Sequence, residues 1–179
     1  GQTVLATNDD WQSSANAATL QASGFSPSSA LESAIYTTLA PGPYTAIVTG
    51  FQNATGVGII EVFEVDNPAS PLANISTRGQ VLTGNDVMIG GFIISGSSPQ
   101  TVVIRARGPS LIPFGITNAL ANPVLQLFSG ATQLAMNDNW QSDPSAAAVQ
   151  AAGFAPASTL EAAMRVTLAP GAYTVIVTG

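Results

Sequence analysis

The chain has 179 residues, of which 46% are apolar and 8% charged, and its formal net charge is −6. It contains no histidine, cysteine or lysine, which excludes an imidazole base, a thiolate nucleophile, a Schiff base, an ordinary zinc site and a disulfide. The negative charge argues against nucleic acid and acidic membrane surfaces as partners, because phosphate binding requires a basic patch. The longest apolar run, at 87–94, is too short to cross a bilayer. We therefore expect neither catalysis nor a cofactor, and no membrane insertion.

Short strands dominate the elements predicted along the chain. A helix over 13–24 precedes strands over 31–40, 43–50 and 56–66. Strands over 74–82, 86–94, 100–108, 123–130 and 131–140 then precede a second helix over 142–153, and the order ends with strands over 160–169 and 172–179. The strands are rich in β-branched residues and are separated by Gly, Pro, Asn and Ser, a pattern typical of a β-sandwich or jelly roll. The predicted fold class is all-β, with sandwich or jelly-roll-like units and one short crossover helix per unit, placed to plug an open end of the sandwich.

An internal repeat organises these elements. Residues 1–50 align without gaps to 130–179, and about 31 of the 50 positions are identical. The shared landmarks are an Asn-Asp pair, a tryptophan, Gly-Phe, Leu-Glu, and Leu-Ala-Pro-Gly followed one residue later by tyrosine. We infer a tandem duplication of a unit of about 129 residues. The chain opens on Gly rather than Met, as expected for a fragment or a processed product such as one that has lost a secretion signal.

The strand count predicts the domain organisation. Residues 1–66 form the C-terminal part of one unit, 67–72 a linker, and 73–179 a second unit that lacks the counterpart of strand 56–66. A sandwich without an edge strand exposes unpaired backbone groups and part of its apolar core. Three sources of the strand are open: the same chain folding back, the next molecule in a head-to-tail row, or a longer parent repeat array.

The segment 57–66 is the candidate donor strand. Strand alternation places four apolar residues on one face, with Glu61 as the charged member of that row, and two apolar residues on the other face. The predicted assembly interface consists of Val57, Ile59, Phe63 and Val65 on the first face and Ile60 and Val62 on the second. Pairing would depend on main-chain hydrogen bonds and apolar burial.

Two Asn-Asp motifs, at 8–11 and 137–140, supply oxygen-rich clusters at a strand end before a helix. Such clusters suit Ca²⁺, but no EF-hand spacing or bidentate Glu follows either motif. We expect instead that Asn and Asp side chains cap the following turn through bonds to the backbone. No metal ligand is predicted.

Four aromatic residues recur at equivalent positions of the two copies, namely Trp11, Trp140, Tyr44 and Tyr173. They suit either a carbohydrate-stacking platform or core packing, and their recurrence favours the core.

Strand 100–108 alternates clearly. Arg105 and Arg107 share a face with Val103, whereas Val102, Ile104 and Ala106 point to the opposite side. The two arginines suit either pairing with Glu61, Glu64 or Asp66 of a neighbouring strand or subunit, or a solvated edge that prevents unwanted pairing. Glu61 and Glu64 lie on opposite faces of their strand and cannot act together on one glycosidic bond.

A family resemblance rests on the motifs NISTRG, GGFIISG, VVIRARGPSL, NDNW, GFAP and LAPGAYTVIVTG. Together they resemble a tandem repeat of secreted proteins from environmental bacteria, and the part from NDNW onward resembles the pre-peptidase C-terminal type of β-sandwich. The resemblance covers nearly the whole chain and implies an extracellular β-sandwich without activity. Some modules of the pre-peptidase type bind calcium or matrix polymers, and the acidic residues that would carry this here are Asp9, Asp10 and Asp138.

The functional expectation is a secreted, non-catalytic structural subunit of an extracellular filament or surface assembly. Its partner would be further copies of itself, joined head to tail by strand complementation, with contact to a cell surface or matrix as a further role. The alternative is a monomeric secreted accessory or adhesion module that binds carbohydrate or matrix.

Overall fold

Six strands, two short helices and four 3-10 turns make up the regular structure of the described residues. A computed structural model describes residues 3–66 and 72–179. The helices and strands are α1 (Ala17–Ser23), β1 (Met88–Ile94), β2 (Gln100–Ala106), β3 (Val124–Ser129), β4 (Thr132–Asn137), α2 (Ala146–Ala151), β5 (Ala162–Leu168) and β6 (Gly171–Thr178). The chain divides into two compact units, Gly1–Ile75 and Ser76–Gly179. Most of the linker predicted over 67–72 lies outside the described residues, so the predicted domain boundaries stay a prediction.

Both sheets of the second unit are antiparallel. One sheet has four strands in the order β1-β6-β3-β4, and the other pairs β2 with β5. β3 and β4 form a hairpin whose two-residue turn begins with Gly130 at φ 55°, a backbone conformation that glycine adopts without strain. This unit confirms the all-β fold class, and its strands confirm the predicted strands between 86 and 179 to within a few residues.

The apolar core of the second unit draws on both sheets. Leu125, Leu127 and Tyr173 of the four-stranded sheet contact Met164 and Leu168 of the two-stranded sheet. Alternation along β2 sends Val102, Ile104 and Ala106 into this core, as predicted. Burying such side chains stabilises a fold by about 1.5–3 kcal/mol each, so the core holds the two sheets together.

Helix α2 covers a second, smaller cluster. Val149 of the helix is fully buried with Trp140 and Ala163, and Val103 of β2 packs against them. These residues lie on the side of the β2–β5 sheet that faces away from the main core, because Val103 and Ala163 alternate with core residues. The expectation that the helix plugs an open end of a sandwich was therefore wrong, since it covers the outer face of a sheet.

Four predicted strands do not form. Residues 31–40, 43–50, 56–66 and 74–82 lie outside any strand. In the second unit β5 and β6 are held by β1, β2 and β3, whereas the described residues of the first unit contain no strand. The sequences at 31–40 and 43–50 therefore have no ladder partner there. At the end of 74–82 the chain turns instead, with the Leu82 N–H donating to the Asp86 carbonyl at 2.7 Å.

Candidate assembly interface

One local module has the same structure in both repeat copies. In the second copy the Asn137 Oδ1 accepts from the Ala163 N–H at 3.0 Å, and in the first copy the Asn8 Oδ1 accepts from the Ala34 N–H at 2.9 Å. Each asparagine also donates to a carbonyl two residues ahead, at 3.1 Å in both cases. The asparagines of the two Asn-Asp motifs thus bind backbone, but their oxygens accept from N–H groups 26 positions away, so the expectation that they cap the following turn was wrong. No side chain at the N-caps of the following helices makes a capping bond in the described residues.

The tryptophans anchor this module. Trp11 and Trp140 are each 8% exposed, and their backbone N–H groups donate to the Glu32 and Glu161 carbonyls at 2.9 and 2.8 Å. These backbone bonds form in the first copy although its described residues contain no strand. The equal burial of both rings agrees with core packing.

The copies differ where the sheets should begin. Met164 is 1% exposed, whereas its counterpart Ile35 is 50% exposed. Leu168 is 7% exposed and the identical Leu39 is 47% exposed. Tyr173 and Tyr44 likewise differ, at 9% and 47%, although both hydroxyls donate to the carbonyl four residues before them at 2.8 Å. Nearly the same sequence is thus a closed core in one copy and an open apolar surface in the other.

The predicted assembly segment is also open. Every member of the predicted interface is exposed, and none of them belongs to a strand. These residues are Val57, Ile59, Ile60, Val62, Phe63 and Val65. One of them makes an aromatic contact: the Phe63 ring stacks on the Phe25 ring with centroids 4.3 Å apart and planes inclined by 18°. The Gly-Phe landmark of the repeat contains Phe25, and the sequence analysis assigned it no role.

The outer edge of β5 is already occupied by side chains. The Ala163 N–H donates to the Asn137 Oδ1 at 3.0 Å, and the Arg165 N–H donates to the Ser145 Oγ at 2.8 Å. The Ser145 hydroxyl in turn donates to the Asp143 Oδ1 at 2.6 Å. Two outward N–H groups of β5 are thereby satisfied locally, and this edge is closed to a further strand at those positions.

The outer edge of β2 is open in the described part of the chain. β2 has β5 as its sole ladder partner there. Arg105 lies opposite Ala163, and Val103 opposite Arg165. In an antiparallel ladder two opposite residues either bond to each other or both point outward, so the N–H and C=O groups of Val103 and Arg105 point away from β5. Unpaired main-chain groups at a sheet edge are a template for another strand.

Arg105 of β2 and Arg107, which follows the strand, make local contacts. The Arg105 Nη1 donates to the Phe154 carbonyl at 3.2 Å, and its guanidinium carbon lies 5.6 Å from the centroid of the Phe154 ring. The Arg107 Nε donates to the Ser110 Oγ at 3.0 Å. Both arginines are exposed, and each retains further N–H donors. In the first unit the Glu64 Oε2 accepts from the Leu72 N–H at 3.1 Å.

A buried carboxylate ties the end of β2 to the start of β5. Glu161 has no exposed surface, and its Oε1 accepts from the Gly108 and Ser110 N–H groups at 2.8 and 2.9 Å. Burial acts to raise the pKa of Glu161, but hydrogen bonds from Ser110 and Gly108 outweigh it and hold the pKa below its ordinary value of 4.5. Glu161 belongs to the Leu-Glu landmark of the repeat, and this recurrence is the sequence signal that could have indicated its role.

The described residues of each unit line a hollow. A groove of about 650 Å³ adjoins the end of β6, and its walls include Val81, Leu82, Leu120 and Gly179. A smaller hollow of about 240 Å³ in the first unit is lined by Asp9, Asp10, Leu31 and Phe51. The groove adjoins Gly179, whose repeat counterpart in the first copy is Gly50.

Comparison with known proteins returns nothing: no family model, no curated protein and no solved structure matches this chain. Among the described residues, no group of three or more acidic side chains is placed to hold a metal ion. No helix within 3–66 or 72–179 is long and apolar enough to span a bilayer.

Proposed function

We propose that the protein is a secreted, non-catalytic structural subunit that builds an extracellular filament or surface layer by strand complementation. Each molecule would insert its segment 57–66 into the second unit of the next molecule, head to tail. In the assembled form this unit would be a jelly-roll-like β-sandwich, in keeping with the resemblance to exported sandwich repeats.

The observation that carries the proposal is a match between an exposed segment and an open edge. The segment presents apolar residues on both faces and has no ladder partner in the described chain. Strand β2 has unpaired main-chain groups on its outer side. Joining the two would satisfy the backbone and bury apolar surface at roughly 25 cal/mol per Å².

The low charge of the chain supports the same function. Only 8% of the residues are charged, against roughly 25% in ordinary soluble domains. Sheet edges usually carry charges that prevent pairing with other molecules. The segment 57–66 itself carries three carboxylates, Glu61, Glu64 and Asp66, so the low charge favours self-association of the chain as a whole rather than marking this segment.

The experiment compares assembly of the wild-type chain with two charge variants. Phe63→Asp places a carboxylate in the apolar row of the segment, and Phe114→Asp makes the same change at an exposed phenylalanine outside it. Sedimentation and light scattering should show polymers for the wild type and for Phe114→Asp, and monomers for Phe63→Asp. Polymers that persist in Phe63→Asp would refute the role of the segment, and a wild type that stays monomeric at all concentrations would refute assembly.

A further inference from the structure

This inference rests on the proposed assembly by strand complementation and concerns where the donor segment binds. The strand edge that receives the segment is called the seat. We infer that the segment 57–66 of one molecule pairs with the outer edge of β2 in a second copy. In that pairing Phe63 stacks on Phe154 and Glu61 forms an ion pair with Arg105.

The repeat supplies the first argument. Phe25 and Phe154 occupy the same repeat position, and in the first unit Phe25 already carries the Phe63 ring at 4.3 Å. Phe154 is 47% exposed, so part of its surface is open to a partner. Because Phe154 also contacts Arg105 of β2, a segment that stacks on Phe154 lies beside β2.

The state of the sheet edges supplies the second argument. Side chains already satisfy outward N–H groups of β5, whereas the outward main-chain groups of Val103 and Arg105 on β2 have no ladder partner in the described residues. Strands β1 and β4 also border their sheet, but Phe154, the residue at the repeat position of Phe25, contacts Arg105 of β2. The aromatic contact therefore selects β2 among the open edges.

Charge supplies the third argument. Glu61 lies two residues from Phe63 and so on the same face of an extended segment, about 7 Å along it. The Arg105 guanidinium lies 5.6 Å from the centre of the Phe154 ring, which brings Glu61 within reach of it once the rings stack. The pairing explains why the apolar row of the segment contains one carboxylate.

Photo-crosslinking tests the seat in the full chain. Phe63→p-benzoylphenylalanine keeps an aromatic ring at the contact, and mixing ¹⁵N-labelled with unlabelled chains separates intermolecular from intramolecular products by mass. We expect mixed-isotope products that join position 63 to the peptide containing Phe154. Same-isotope products at Phe25, the contact present within the first unit, serve as the internal control.

A charge exchange provides the second measurement. Arg105→Glu should lower the mixed-isotope yield about fivefold, the effect expected for a cross-strand charge pair made repulsive. Adding Glu61→Arg should restore the yield, whereas a misfolded Arg105→Glu chain would not be rescued. Rescue supports the seat, and an equal yield in all three chains overturns it.

The outcomes separate the two proposals. Polymers whose mixed-isotope products avoid Phe154 would overturn the seat and leave assembly in place. Dimeric products at Phe154 without polymers would support the seat and overturn the filament. Same-isotope products at Phe154 would overturn pairing between molecules, and the absence of both polymers and mixed-isotope products would overturn both proposals.

Discussion

A pair of identical leucines offers the sharpest test of the difference between the two copies. Leu168 is 7% exposed in the core of the second unit, and Leu39, at the same repeat position, is 47% exposed. Replacing leucine by alanine removes about three methylene equivalents, or about 2.4 kcal/mol of transfer free energy when the side chain is fully buried. A residual cavity raises the cost, so Leu168→Ala should lower the free energy of unfolding by about 2–5 kcal/mol. Leu39→Ala should lower it by about 1 kcal/mol or less, because half of that side chain already meets water.

Urea denaturation followed by tryptophan fluorescence measures both values, since each unit contains one tryptophan. Trp140→Phe leaves Trp11 to report on the first unit, and Trp11→Phe leaves Trp140 to report on the second. The measurement is made at a concentration where the chain is monomeric, so that assembly does not contribute. Equal losses for Leu39→Ala and Leu168→Ala would refute the conclusion that the first copy lacks a closed core.

Two further predictions concern buried polar groups of the second unit. The folded-state pKa of Glu161 lies below 4.5, so its carboxylate stabilises the unit fully above the unfolded-state value, and this contribution is lost as the pH falls through the folded-state pKa. Glu161→Gln should therefore flatten the acid limb of a thermal-melting series, and an unchanged acid limb would contradict the assignment. Asn137→Ala leaves the Ala163 N–H without its acceptor and should lower the free energy of unfolding, measured in urea, by about 1–3 kcal/mol. Asn137→Asp keeps an acceptor oxygen and should lower it by less. Equal losses for the two variants would contradict the role of that bond.

The elements of the second unit could be predicted from sequence because their periodicity agrees with their environment. Alternation in 100–108 separates core residues from outward ones, and the structure has the same division. The helix over 142–153 was signalled by its alanines and by Gly153, which has φ 77° just beyond α2. These are local signals whose tertiary partners are all present in the same unit.

The first unit shows what local signals cannot predict. Residues 43–50 are nearly identical to 172–179, which contain most of β6, yet they form no strand. A strand is stabilised by its neighbours, and neighbours are set by the rest of the chain rather than by the segment. The same argument applies to 31–40, whose counterpart β5 is held by β2.

For the candidate interface, the sequence indicates the exposed segment but not its contacts. Exposed apolar residues at 57–65 follow from composition and alternation, but the contact of Phe63 with Phe25 joins residues 38 positions apart and has no signature in a single sequence. The role of Glu161 could not be predicted for a similar reason, because its hydrogen-bond partners lie more than 50 positions away in the sequence.

Hydrogen–deuterium exchange across a concentration series tests the central claim most directly. Strand complementation predicts that the amides of 57–66 exchange freely in the monomer and become protected as polymers form, together with those of Val103 and Arg105 on β2. If polymers form while the amides of 57–66 continue to exchange freely, the segment is not a donor strand and strand complementation is contradicted.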